Sequence, residues 1–162
     1  MCVVGACGAC GFSMAAGYRA MEHSLRQLKN GLELMQCQME YRLTELPELC
    51  SILSSACAGP VGRFFDRLGQ ELRTGENPDV PACMALTLAK TEALPAPCPE
   101  ILRQLGNTLG QLDLSGQRKG LASAREAVDR ALRQIEAEKA SRLRCYRALG
   151  LCGGAALAIL LL

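Results

Sequence analysis

Tryptophan is absent from this chain of 162 residues, and its only aromatic rings are three tyrosines, three phenylalanines and one histidine. So few rings exclude a base-stacking platform or a carbohydrate groove. With His23 as the single histidine, His-based triads, paired-histidine metal sites and histidine relays are excluded together. A dominant charge is missing too: 18 Lys and Arg against 16 Asp and Glu leave +2, so no overall field draws the chain to nucleic acid. There is no P-loop glycine pattern with a lysine and no nucleophile elbow. No run of β-branched residues alternates with period two, so strands are not expected. What is present is a chain that is 49% hydrophobic by virtue of Ala, Leu, Cys and Met, which favours helices. The length suits one domain.

Charge is also missing from both ends. No ionisable Asp, Glu, Lys or Arg occurs from Met1 to Tyr18 or from Ala148 to Leu162. The C-terminal run is rich in Leu and Ile. Counted from Arg144, with Arg147 snorkelling, it gives about 28 Å of helix, close to the thickness of a hydrocarbon core. The N-terminal run is dominated by Gly, Ala and Cys. It lacks the basic n-region of a signal peptide, and the alternative to a span is a hydrophobic tail folded onto the domain. Gly5, Ala9, Ser13 and Gly17 recur every four residues, and Gly150, Gly154 and Ala158 repeat the device, which gives each run a smooth face for helix packing in a membrane. The expected organisation is an N-terminal transmembrane segment over 1–18, a helical body over 19–147 and a C-terminal transmembrane segment over 148–162. Arg19, Arg26 and Lys29 flank the first span, and Lys139, Arg142, Arg144 and Arg147 the second. The positive-inside rule therefore puts the body in the cytoplasm, bound to a lipid bilayer at both ends.

The body reads as all-α, a bundle of about six helices. Tyr18, Met21, Leu25, Leu28, Leu32, Met35 and Met39 alternate at spacings of three and four, an a/d seam on one long helix. Pro47 opens a short helix reaching about Ala58, and Gly59-Pro60 breaks it. A third runs from about Val61 to Thr74 with Phe64, Phe65, Leu68 and Leu72 inward, and Gly75 is a plausible stop. Asn77 or Asp79 could cap a fourth, which begins near Pro81, carries Met84, Leu86, Leu88 and Leu94, and ends at Pro95. Pro99 starts a fifth with Ile101, Leu102, Leu105 and Leu109. Leu121, Ala124, Val128, Ala131 and Ile135 line the last, which continues into the C-terminal span. Two long helices thus flank four short ones.

Ten cysteines invite a redox reading, and Cys2, Cys7 and Cys10 reproduce the spacing of plant-type [2Fe–2S] proteins. They lie in a small-residue run with no strand nearby, where cysteine is also a small apolar filler. No metal, cofactor or structural disulfide is expected, since the cytoplasm keeps thiols reduced. Glu22, Glu33, Glu126 and Glu136 fall on solvated helix faces, and His23 is most simply an exposed or interfacial imidazole. No catalytic constellation stands out, so no enzyme is expected.

Three segments carry a family resemblance. Thr44-Glu45-Leu46-Pro47-Glu48 is a Leu-Pro-Glu helix start. Leu105-Gly106-Asn107-Thr108-Leu109-Gly110-Gln111-Leu112-Asp113, followed by Gln117, is a Leu-Gly-x-x-Leu-Gly motif. Tyr146-Arg147-Ala148-Leu149-Gly150-Leu151-Cys152-Gly153-Gly154 leads into the aliphatic tail. In order and spacing the chain resembles the stage III sporulation protein AB family of endospore-forming bacteria. The resemblance implies a non-enzymatic platform component of the channel between mother cell and forespore, in the mother cell's outer forespore membrane. Its cytoplasmic domain would be similar to the F-type platform of type II secretion systems. The implied partners are the stage III sporulation protein AA ATPase and other membrane components of the channel, with a homo-oligomer possible. The expected docking face is the exposed basic surface around Arg63, Arg67, Arg73, Arg103 and Arg118. Two other readings stay open: a small redox or metal protein using Cys2, Cys7 and Cys10, and a helical membrane adaptor unrelated to sporulation.

Overall fold

The structure, a computed structural model, describes the backbone over 2–41, 44–74, 79–91, 94–109 and 114–161, and side chains over 17–40, 44–74, 79–91, 94–109 and 115–139. It contains six helices: α1 (Cys2–Tyr41), α2 (Leu46–Ala56), α3 (Gly59–Thr74), α4 (Val80–Lys90), α5 (Cys98–Gly106) and α6 (Leu114–Leu161). No strand occurs among the described residues. The expected plan of two long helices flanking four short ones is what the chain adopts.

The helices pack as a closed ring in chain order. Each of α2 to α5 touches its sequence neighbours, α6 returns to α1, and α1 also contacts α3 and α5. The seam of α1 explains this. Leu25, Leu28 and Leu32 are fully buried, Met35 nearly so, and Met21 and Met39 pack at its ends. Facing them, α6 contributes Leu121, Ala124, Val128 and Ile135. Phe64 and Phe65 on α3 are fully buried, with their rings edge-on at 5.4 Å between centroids. Burying each such side chain is worth about 1.5–3 kcal/mol.

The breaks between helices have local causes. Pro47 stands in the first turn of α2, where its missing N–H costs nothing. The turn into α3 uses Gly59 at φ +69°, a left-handed backbone that side chains resist. There the Gln27 side-chain amide oxygen accepts from the Ala58 N–H at 2.9 Å, tying the turn to α1. Asp79 occupies the N-cap position of α4, though its side chain makes no capping bond. Gly75 and Asn77 lie outside the described residues.

Helix α4 departs from the sequence reading. It stops at Lys90 and does not run on toward Pro95. The Lys90 carbonyl is taken by the Arg67 guanidinium at 2.5 Å, and the Thr91 hydroxyl turns back to donate to the Thr87 carbonyl at 2.7 Å. Leu94 still reaches the core, but from the connection after the helix. Leu86 points outward and is 53% exposed, while Val80, Met84 and Thr87 face inward.

Among the described residues no helix is long and apolar enough to cross a membrane. The two expected spans rest on side chains that, Gly17 and Tyr18 apart, lie outside the described residues.

Candidate docking surface

The functional reading depends on how charge is distributed over the helices, and the α1–α6 interface organises most of it. Lys29 pairs with Asp129 at 2.8 Å, Glu33 with Arg125 at 3.1 Å, Glu40 with Arg118 at 3.7 Å, and Glu22 with Lys139. Each step along α1 is matched by an equal step back along α6: Lys29 to Glu33 mirrors Asp129 to Arg125, and Glu33 to Glu40 mirrors Arg125 to Arg118. The helices are therefore antiparallel, in a register fixed by charge on the flanks and by leucine in the seam. Arg125 adds a bond to the Gln36 side-chain oxygen at 2.7 Å. The N-terminal end of α1 and the C-terminal end of α6 lie at the same end of the body.

These contacts perturb two carboxyls. Lys139, and then Arg26, hold the Glu22 carboxyl below the usual carboxylate range. Lys29 does the same for Asp129. Glu22, expected on a solvated face, is half-buried between its two cations, because α6 passes over it. Glu33 pairs across the interface, Glu126 pairs with Arg130 on its own helix at 3.6 Å, and Glu136 and His23 are exposed. Arg26, Lys29, Asn30, Asp129, Leu132, Arg133 and Glu136 line a groove of about 490 Å³ between the two helices.

The five arginines expected to dock a partner are spread over three helices. Arg63 and Arg67 are exposed one turn apart on α3. Arg73, at the end of α3, reaches back to the Pro47 carbonyl at 3.4 Å. Arg103 pairs with Glu100 on α5 at 2.6 Å, and Arg118 faces Glu40. Helix α3 touches neither α5 nor α6. Only Arg63 and Arg67 are brought together, and among the described residues neither is ion-paired.

The motif residues that are described act in packing. Leu46 packs against the core and Pro47 opens α2. Leu105, Gly106 and Leu109 are buried where α5 ends and the chain turns toward α6. A Cβ on Gly106 would lie 2.9 Å from the Met84 side chain. Behind the turn, a Cβ on Gly120 would lie 2.2 Å from the Thr108 hydroxyl, so α5 and α6 meet almost backbone to side chain. The Gly120 contact and the Gln27 bond to Ala58 were not anticipated; a lone glycine in an otherwise alanine-rich helix was the available clue. Gln117 is half-buried. Gly110, Asp113, Tyr146 and Gly153 lie outside the described residues, as do Gly5, Ala9, Ser13, Gly150, Gly154 and Ala158. Gly17 is exposed, with open space around its Cβ position.

Of the cysteines, Cys37, Cys50, Cys57, Cys83 and Cys98 carry free thiols. Burial pushes the Cys50 thiol up to about 12 and Cys98 to about 11, which removes both as nucleophiles near neutrality. Among the described residues no group of His, Cys, Asp or Glu could hold a metal ion. Cys2, Cys7 and Cys10 lie outside them.

The family model described as stage III sporulation protein AB matches residues 1–162. Stage III sporulation protein AB of Bacillus subtilis (strain 168) is 26% identical over 160 residues, covering 94% of this chain and 90% of that protein. A solved structure of a stage III sporulation protein AB superposes with a TM-score of 0.67 at 23% identity, over 75% of this chain and 98% of that one. That likeness shows the helical fold.

Proposed function

Since the chain belongs to the stage III sporulation protein AB family, we propose that it is a non-enzymatic platform of the channel between mother cell and forespore. In this reading both uncharged ends enter the outer forespore membrane, and the helical body stands in the mother-cell cytoplasm. The body docks the stage III sporulation protein AA ATPase beside other membrane components of the channel, as a homo-oligomer or singly. The observation that carries it is the family match over the whole chain. The antiparallel register of α1 and α6 supports it, because it sends both uncharged ends out of one end of the body. Arg63 and Arg67 offer the ATPase exposed cations outside the α1–α6 interface.

Cosedimentation tests this. The full chain is reconstituted into vesicles and mixed with the purified ATPase. The ATPase is expected to pellet with vesicles that carry the chain and to stay in solution with empty ones. An ATPase that stays in solution in both cases contradicts the docking role.

A further inference from the structure

Helix α4 is the one short helix that touches neither α1 nor α6; it lies between α3 and α5 with its outer side uncovered. That side consists of Ala82, Ala85, Leu86 and Ala89, all exposed and on one stripe of the helix. Leu86 is the one exposed large hydrophobic among the described residues. No charge interrupts α4 from Val80 to Ala89. Three alanines allow a close backbone approach, and Leu86 supplies a single knob, the geometry that receives one helix.

Charge marks the edge of this stripe. Arg67 reaches from α3 to the Lys90 carbonyl at the C-terminal end of α4, and Arg63 lies one turn back along α3. Among the described residues neither guanidinium is ion-paired. Asp66, between them, accepts a bond from the Gln70 side chain, and Lys90 is matched by Glu71. The edge therefore presents two cations against one engaged carboxylate, which favours an acidic partner. Four small side chains fall far short of the roughly 800 Å² per partner of a stable dimer, so a second copy of this chain fits the face poorly.

We propose that the outward face of α4, edged by Arg63 and Arg67, receives a single amphipathic helix from a partner protein. Its apolar side covers Leu86 and its carboxylates meet the two arginines. This narrows the docking surface of the platform reading and rests on that reading only for the identity of the partner.

The test places a photo-crosslinking benzophenone side chain at Ala85 of the full chain in membranes, with the stage III sporulation protein AA ATPase as probe. The crosslink is expected to map to a helical segment of the ATPase that carries Asp or Glu. L86D should weaken ATPase binding about tenfold or more, and R63E should weaken it less. R63K should retain it. Leu86 and Arg63 are exposed, and an unchanged helical spectrum confirms that each variant folds. Full-strength ATPase binding by folded L86D overturns this inference and leaves the platform reading intact. If the unaltered chain binds no ATPase, the platform reading fails instead. The same crosslink in sporulating cells then decides: an acidic helix of another protein supports the α4 site, and capture of lipid, of a second copy or of nothing overturns it.

Discussion

The α2–α3 hairpin and the α1–α6 pair are held by opposite means. In the hairpin the backbones come so close that a Cβ on Gly62 would lie 2.1 Å from the Cys57 carbonyl oxygen, and Phe64 and Phe65 are sealed from solvent. Helices of 11 and 16 residues are too short to hold themselves, so packing must supply their stability. The α1 and α6 helices, at 40 and 48 residues, do not face that problem. What they need is a register, and a leucine seam alone leaves neighbouring registers close in energy. The charged pairs along its flanks select one of them. Stability is concentrated in the hairpin and alignment in the long pair.

Breaking the hairpin should cost most. Phe64→Ala is expected to remove about 3–5 kcal/mol of stability, read from denaturant midpoints. Gly62→Ala should cost about 3 kcal/mol, because the new methyl meets a backbone carbonyl that cannot swing aside. Gly17→Ala, where nothing lies within 4 Å, should be neutral or gain up to about 1 kcal/mol from helix propensity. Equal losses at Gly62 and Gly17 would contradict the close approach of α2 and α3.

The long pair should respond weakly in stability and strongly in logic. Asp129→Lys is expected to cost about 0.5 kcal/mol, since both partners are about a third exposed, and adding Lys29→Asp should restore most of it. A double mutant no better than the single would remove Lys29–Asp129 from the register. Smallest of all is the pH effect. Glu22 and Asp129 have folded values depressed by their cations. Each contributes stability that is present above its unfolded value and lost as pH falls through the folded one. Thermal melts should therefore fall below about pH 4, and less so in a Lys29→Met, Lys139→Met variant.

The fold was legible wherever periodicity was strong. Leu25 to Met35 and Leu121 to Ile135 announce their buried faces by spacing alone, and Pro47 and Gly59 mark where helices start. Helix α4 was not legible in the same way. Apolar along most of its length, it offers no contrast between inside and outside, and Leu86 reads as core as readily as Met84. Its early end depends on Arg67, more than twenty residues away, and no local pattern encodes that bond. For the docking surface, sequence identifies exposed arginines but not their partners. Arg103 and Arg118 meet carboxylates, Arg73 holds a carbonyl, and only tertiary structure separates these from Arg63 and Arg67.

The central claim is that the helical body stands on the cytoplasmic side of a membrane that holds both of its ends. Cys37 is its natural reporter, because it is exposed, whereas Cys98 is buried and Cys83 only half-exposed. Intact sporulating cells are treated with a membrane-impermeant maleimide and the Cys37 peptide is read by mass spectrometry. Modification of Cys37 only after lysis, in protein that pellets with the membranes, is the expected result. Modification in intact cells, or recovery of the chain in the soluble fraction, contradicts the account.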